Sequence, residues 1–105
     1  MSADRDVHPR FTLEDELSHP VRFSIVASLA AVDNIAFGDL RDDLQVSDSV
    51  LSKQLTQLEG HGFVRISKGF VGKRPRTTLS LTRDGLARWR RHLAALQAIA
   101  TPVAE

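Results

Sequence analysis

The sequence predicts a small α+β fold that is mostly helical. Three observations support this prediction. Apolar residues recur at helical spacing through the first 60 residues, two short alternating segments follow as a candidate hairpin, and the last apolar residues are spaced by three and four. With 105 residues, 42% of them hydrophobic, the chain is expected to form one domain with a modest core.

The first third of the chain predicts a tail followed by two helices. Residues 1–10 have alternating charges and no apolar core, so we expect a flexible N-terminal tail and not a signal peptide. A short helix should follow, with Phe11 and Leu17 as its apolar contacts. Pro20 suits the first position of the next helix, which is predicted to end near residues 33–34.

A pair of helices joined by a tight turn is predicted next. Residues 35–36 form a short extended segment, 37–44 a helix and 45–46 the turn. Ser47 is a suitable N-cap for a helix over 48–59. The apolar face of that helix consists of Leu51, Leu55 and Leu58.

A hairpin and a long helix complete the chain. Alternation predicts two strands within 64–81, connected by a loop at 69–75. Thr82 is expected to cap a helix over 83–100. Its seam, which we expect to pack along another helix and so to form a dimer, consists of Leu86, Trp89, Leu93, Leu96 and Ala100.

The outer face of the helix over 48–59 has the side chains that a helix in the DNA major groove needs. Glutamine can bond adenine in a bidentate manner, and lysine reaches guanine or phosphate. Val50 either touches a thymine methyl group or packs inward. The candidate DNA-contacting residues of this helix are Ser49, Val50, Ser52, Lys53, Gln54, Thr56 and Gln57.

The hairpin tip is basic. Its cations are Lys68, Lys73, Arg74 and Arg76, and no acid occurs between Glu59 and Asp84. Residues 1–59 have a formal charge of −6 and residues 60–105 a charge of +7, so a polyanion is expected to meet the second half. Contact of the tip with phosphates or the minor groove of double-stranded DNA is therefore predicted.

The chain resembles the short winged-helix transcriptional regulators related to the MarR and ArsR families. The resemblance lies in HPVR at 19–22, LSKQL at 51–55, LEGHGFV at 58–64, KGFVGKRPRT at 68–77 and LTRDG at 81–85. It implies a winged helix-turn-helix domain over 11–100. The recognition helix would be 48–59, the wing 64–81 and the dimerisation helix 83–100. It also implies a homodimeric regulator that binds DNA, usually a repressor.

Other functions fit parts of this pattern. A winged helix can also bind protein. The polar face of the helix over 48–59 and the basic hairpin tip could also simply be solvated surfaces. The lack of cysteine fits a cytoplasmic location and excludes thiol chemistry, and no apolar run is long enough to span a membrane. A metal-responsive regulator could use His92, although no ligand pair supports this. We expect no enzyme activity, no cofactor and no bound metal; a small-molecule effector remains open, and Trp89 could stack on it or serve only in packing.

Overall fold

The computed structural model describes residues 7–102, which contain four α-helices, two short 3-10 helices and a three-stranded antiparallel sheet. The helices are α1 (Pro20–Ala30), α2 (Phe37–Leu44), α3 (Asp48–Gly60) and α4 (Arg83–Ala100). The strands are β1 (Ile35–Ala36), β2 (Val64–Val71) and β3 (Arg74–Leu81). The predicted α+β, mostly helical class is confirmed.

The segment before α1 differs from the single short helix that was expected. It forms two 3-10 helices, Pro9–Thr12 and Asp15–Ser18, of which the first packs against α4. Leu17 is buried, as predicted, but the Phe11 side chain is 68% exposed and lies under the Arg10 guanidinium. Most of the expected tail, residues 1–6, lies outside the described residues.

The turn between α2 and α3 is formed by a left-handed residue. Gln45 has φ 55°, and its backbone N–H bonds back to α2, which ends the helix. Ser47 then caps α3, because its Oγ accepts a hydrogen bond of 3.2 Å from the Val50 backbone N–H. The predicted bounds of α2 are confirmed, whereas α1 ends at Ala30, before the predicted 33–34.

The sheet has the order β1-β3-β2, and its long hairpin is the wing. Ile35 pairs with Leu79, so the short β1 supports only the base of the hairpin. The predicted loop at 69–75 was too long, because the ladder continues until Val71 pairs with Arg74. Only Gly72 and Lys73 form the turn, and Gly72 supplies the positive φ of 63° that a two-residue hairpin turn requires.

The core joins α1, α2, α3, the sheet and α4. Its buried apolar residues are Leu17, Ile25, Val26, Leu29, Leu40, Leu51, Leu55, Leu58, Phe63, Val64, Leu79 and Trp89. The leucine face predicted for α3 is confirmed, since Leu51, Leu55 and Leu58 are all buried. This packing fixes which side of α3 remains outside.

Part of the seam predicted on α4 packs within its own chain. Trp89 is buried, with its ring edge-on to Phe23 at 5.0 Å between centroids. Leu86 and Leu93 are half-buried against the same core, whereas Ala100 is exposed. A spacing of three and four identifies a face that packs, but it does not distinguish a partner chain from the helix's own domain.

Candidate nucleic-acid interface

The outer face of α3 is open to solvent. Ser49, Ser52, Lys53, Thr56 and Gln57 are all exposed there. Val50 is 40% exposed as well, so it points outward and does not pack inward. An outward Val50 is able to contact a thymine methyl group.

Gln54 is a correction to the predicted set. Its side chain is only 9% exposed, and Oε1 accepts a hydrogen bond of 2.8 Å from Arg22 Nη1 of α1. Arg22 in turn donates from Nε to the Glu16 backbone carbonyl at 2.7 Å. Gln54 follows the buried Leu51 by three positions, which turns its side chain toward α1 and away from the open face.

Gln57 is exposed but has a partner. Its amide Nε2 donates to Glu16 Oε2 at 3.1 Å, and the other carboxylate oxygen lies 3.2 Å from His61 Nε2. Glu16 therefore joins the 3-10 helix before α1 to the C-terminal end of α3. Glu16 and Arg22 were not predicted from the sequence, because no local pattern links them to residues more than 30 positions away.

The acid at the start of α3 is paired. Arg41 Nη1 lies 2.9 Å from Asp48 Oδ1, and Arg41 Nε lies 2.9 Å from Asp42 Oδ1. The hydrogen bonds to Asp42 and Asp48 raise the pKa of Arg41 further above its usual range. The negative charge of Asp48 at the start of α3 is thus offset by Arg41.

The wing has two distinct faces. Direct pairing places Gly69 opposite Arg76 and Val71 opposite Arg74, so both arginines share a face with Arg65, which we call the outer face. Arg65 was not among the predicted contacts. The other face, here called the inner face, continues from the core residues of the hairpin base and contains Lys68, Thr77, Phe70 and Pro75.

A groove separates α3 from the inner face of the wing. Its volume is about 370 Å³, and Ser52 and Thr56 border it on the helix side, with Lys68 and Thr77 on the wing side. Lys68, Lys73, Arg74 and Arg76 are all exposed. Of the predicted residues, Ser52, Thr56 and Lys68 thus border one groove, whereas Arg74 and Arg76 lie on the outer face of the wing and Gln54 is buried.

A separate apolar cavity lies between α1, α4 and the segment before α1. Its volume is about 520 Å³, and its lining includes Leu13, Leu17, Phe23, His92 and Leu96. His92 is buried, which lowers its pKa, and its Nδ1 accepts a hydrogen bond of 3.0 Å from the Glu14 backbone N–H.

An ion pair holds the rim of this cavity. The Glu14 carboxylate binds the Arg88 guanidinium, which also lies over the Phe63 ring at 3.9 Å. The hydrogen bond from Arg88 lowers the pKa of Glu14. Within residues 7–102, no three His, Asp or Glu side chains are grouped so that they could hold a metal ion, and no helix is long and apolar enough to cross a membrane.

The comparison with protein families decides the identity of the domain. Residues 21–100 match the family model described as a winged helix DNA-binding domain. The chain belongs to this family. The match spans α1 to α4 and so includes both the open face of α3 and the wing. No curated protein matches the chain.

Solved structures of regulators share this winged-helix fold. A transcriptional regulator homologue from Pyrococcus horikoshii OT3 is 26% identical, with a TM-score of 0.79 over 87% of this chain and 91% of its own. PcaV from Streptomyces coelicolor, a transcriptional regulator solved with its natural ligand, is 18% identical, with a TM-score of 0.67 over 90% and 69%.

The zinc-responsive MarR family member ZitR from Lactococcus lactis is 20% identical, with a TM-score of 0.60 over 74% of this chain and 53% of its own. The expected resemblance to MarR-type winged helices is confirmed at the level of the fold. Family and fold indicate a DNA-binding regulator.

Proposed function

We propose that this protein is a homodimeric transcriptional regulator that binds specific sites in double-stranded DNA and acts as a repressor. The observation that supports this most is the pairing of two surfaces across one groove. The outer face of α3 is exposed and polar, and Lys68 of the wing borders the groove beside it, with the other wing cations exposed at the turn and on the outer face of the same hairpin. A major groove admits an α-helix, and the adjacent phosphates attract the cations.

Different residues have different roles in this proposal. Ser49, Val50, Ser52, Lys53, Thr56 and Gln57 face the bases and the nearest phosphates. Lys68, Lys73, Arg74 and Arg76 bind the backbone flanking the groove, with an arginine able to enter the minor groove. Phosphate contacts set the position of a protein on DNA, whereas contacts to base edges determine the sequence.

A homodimer would present two such surfaces. Two recognition helices held one helical turn apart bind a site with two-fold symmetry. The C-terminal half of α4 supports this proposal, since Leu96 is only half-buried and Ala100 is exposed. Repression would follow if the bound protein occupies a promoter. Transcription in vitro should therefore fall when the protein is added to a template that contains its binding site. A DNA-binding protein of this kind would act in the cytoplasm.

Duplex binding at several salt concentrations tests the proposal. The wild type should bind a duplex of about 30 base pairs, and the logarithm of its affinity should fall linearly with the logarithm of salt concentration. A duplex selected from a random pool should bind more tightly than a scrambled one. If the protein binds no duplex at low salt, the proposed function is wrong.

The alternative of a protein-binding winged helix makes the opposite prediction. A partner protein would not require both the acid-free wing and the open face of α3. Replacing Arg74 and Arg76 together by alanine should weaken binding to all duplexes similarly, whereas replacing Lys53 should alter the preference among sequences. Under the alternative, neither substitution would change duplex binding.

The cavity bordered by Phe23 and Leu96 supports a second proposal, that a small-molecule effector binds this regulator. Its volume and apolar lining are those of a ligand pocket. PcaV, which shares the fold, was solved with its natural ligand. A library of small apolar molecules should contain compounds that raise the Tm of the wild type but not of Ser18→Trp, since Ser18 lies on the cavity wall.

A further inference from the structure

The tip of the wing contains an apolar pair among its cations. Phe70 and Pro75 lie directly opposite each other in the β2–β3 register. The Phe70 side chain is 74% exposed, more than any other large apolar residue of residues 7–102. Beyond Lys68 and Thr77 no third strand supports the hairpin, because β1 pairs only with Thr78 and Leu79. The apolar pair therefore lies in the two-stranded part of the hairpin, beyond the end of β1.

The orientation of this pair is fixed by the pleat of the hairpin. Side chains two positions apart along a strand share a face, so Phe70 lies on the inner face with Lys68. Lys68 borders the groove whose other side is the helix α3. Phe70 thus continues the surface that adjoins the recognition helix, while Arg74 and Arg76 occupy the opposite face.

We propose that Phe70, with Pro75 opposite it, packs against the deoxyribose rings of the DNA minor groove flanking the site of α3. This inference rests on the proposed function. Charge complementarity supports the choice of DNA as the occupant, because Lys68 lies beside Phe70 on the inner face, Lys73 lies in the adjoining turn, and no acid occurs from Gly60 to Arg83. Phenylalanine and proline are among the apolar side chains that proteins insert into minor grooves. The deoxyribose carbons that line this groove are the apolar surface proposed here to contact them.

The wing would then contribute two separable forces. Its arginines on the outer face displace counterions from phosphates, which makes binding dependent on salt. Phe70 buries apolar surface, which contributes affinity without a dependence on salt. The two contributions can be distinguished because the residues lie on opposite faces of one hairpin and both are exposed, so neither substitution disturbs the core.

The test compares Phe70→Ala with a matched variant on the other face. Val71→Ala removes an apolar side chain that is 57% exposed, next in sequence and on the outer face. Against the selected duplex, Phe70→Ala should lower affinity about tenfold with an unchanged salt slope, while Val71→Ala has little effect. Arg74→Ala should instead reduce the slope, by about 0.9 for each phosphate that the protein no longer neutralises. Circular dichroism should show all three variants folded.

Hydroxyl-radical cleavage provides a second measurement, since it reports on sugars in the minor groove. With protein at saturation, Phe70→Ala should lose protection at the flanking minor-groove positions and keep it elsewhere. The inference is overturned if Phe70→Ala binds like the wild type, if Val71→Ala weakens binding equally, or if Phe70→Ala changes the oligomeric state in light scattering. The last result would show that the tip is an interface between copies. Failure of the wild type to bind any duplex would instead refute the proposed function.

Discussion

Arg22 Nη1 donates a hydrogen bond of 2.8 Å to Gln54 Oε1, and this bond joins α1 to α3, the proposed recognition helix. Arg22 also bonds the Glu16 carbonyl, so one guanidinium connects three segments of the chain. Gln54 therefore orients α3 from inside the domain. The DNA sequence preference of the protein should depend instead on the exposed residues of the outer face of α3.

Replacing Gln54 by alanine should reduce stability and leave base preference unchanged. The substitution removes the acceptor of a charged donor whose side chain is largely buried, which costs about 1.5 to 3 kcal/mol in the free energy of unfolding. Urea unfolding measures the loss, and selection from a random duplex pool measures the preference. Ser52→Ala, an exposed change on the same helix, is the control and should alter preference with little loss of stability. A changed preference in Gln54→Ala would contradict this assignment.

Gly85 should tolerate no larger residue. A Cβ at this position would lie 2.2 Å from the Phe63 carbonyl oxygen, where α4 begins against the end of the loop before β2. Relief of that clash requires backbone movement, so Gly85→Ala should destabilise the fold by about 3 kcal/mol or more.

Gly60→Ala is the matched control for this prediction. Its added Cβ would meet no atom within 4 Å, and the residue lies in the last turn of α3. Thermal unfolding should show a change within about 1 kcal/mol, of stabilising sign if the alanine reduces the entropy of the unfolded chain. Equal destabilisation by both substitutions would show that steric exclusion at Gly85 is not the cause.

His92 should make stability depend on pH near neutrality. Burial lowers its pKa in the folded state below the usual 6.5, so the unfolded chain binds a proton more readily. The contribution is fully present above pH 6.5 and is lost as the pH falls through the unfolded pKa toward the folded one. The stability of the wild type should therefore decrease between pH 7 and pH 5 more than that of His92→Asn, whose amide oxygen can still accept from Glu14. Parallel curves for the two proteins would contradict the prediction.

Glu14 should make the stability of the fold depend on pH in a lower range than His92 does. Its folded pKa is depressed by the hydrogen bond from Arg88, so its contribution is present above the unfolded value near 4.5 and is lost as the pH falls through the folded pKa. Glu14→Gln should be less stable than the wild type at pH 7, by about 1 to 2 kcal/mol, and the difference should shrink below pH 4.5. Urea titrations at both values of pH check this. A difference that is independent of pH would assign the effect to packing.

The proposed dimer should depend on the C-terminal half of α4. Leu96→Asp places a charge on the apolar side of the helix and should give a monomer in light scattering. Ala94→Asp, at an exposed position on another side of α4, should remain dimeric. A folded dimer in both variants would show that Leu96 lies outside the interface. Trp89 is a poorer probe, because its burial against Phe23 makes it part of the monomer core.

The sequence by itself determined the elements whose signals are local. Ser47 predicted the start of α3 because its hydroxyl satisfies a free backbone N–H in the first turn, and Leu51, Leu55 and Leu58 predicted its buried face through their spacing. The sequence also determined that cations cluster in the wing. All of these depend on residues within a few positions of one another.

Tertiary structure alone decided which polar residues remain available to a ligand. Gln54 and Gln57 look alike in the sequence, yet Gln54 is buried and bonded to Arg22, whereas Gln57 is exposed and bonded to Glu16. This difference arises because folding brings α1 and the segment before it against α3. Tertiary packing likewise decided that Trp89 belongs to the chain's own core, and strand register placed Phe70 on the inner face of a longer wing. Such outcomes depend on contacts between residues that are distant in sequence, which local spacing does not encode.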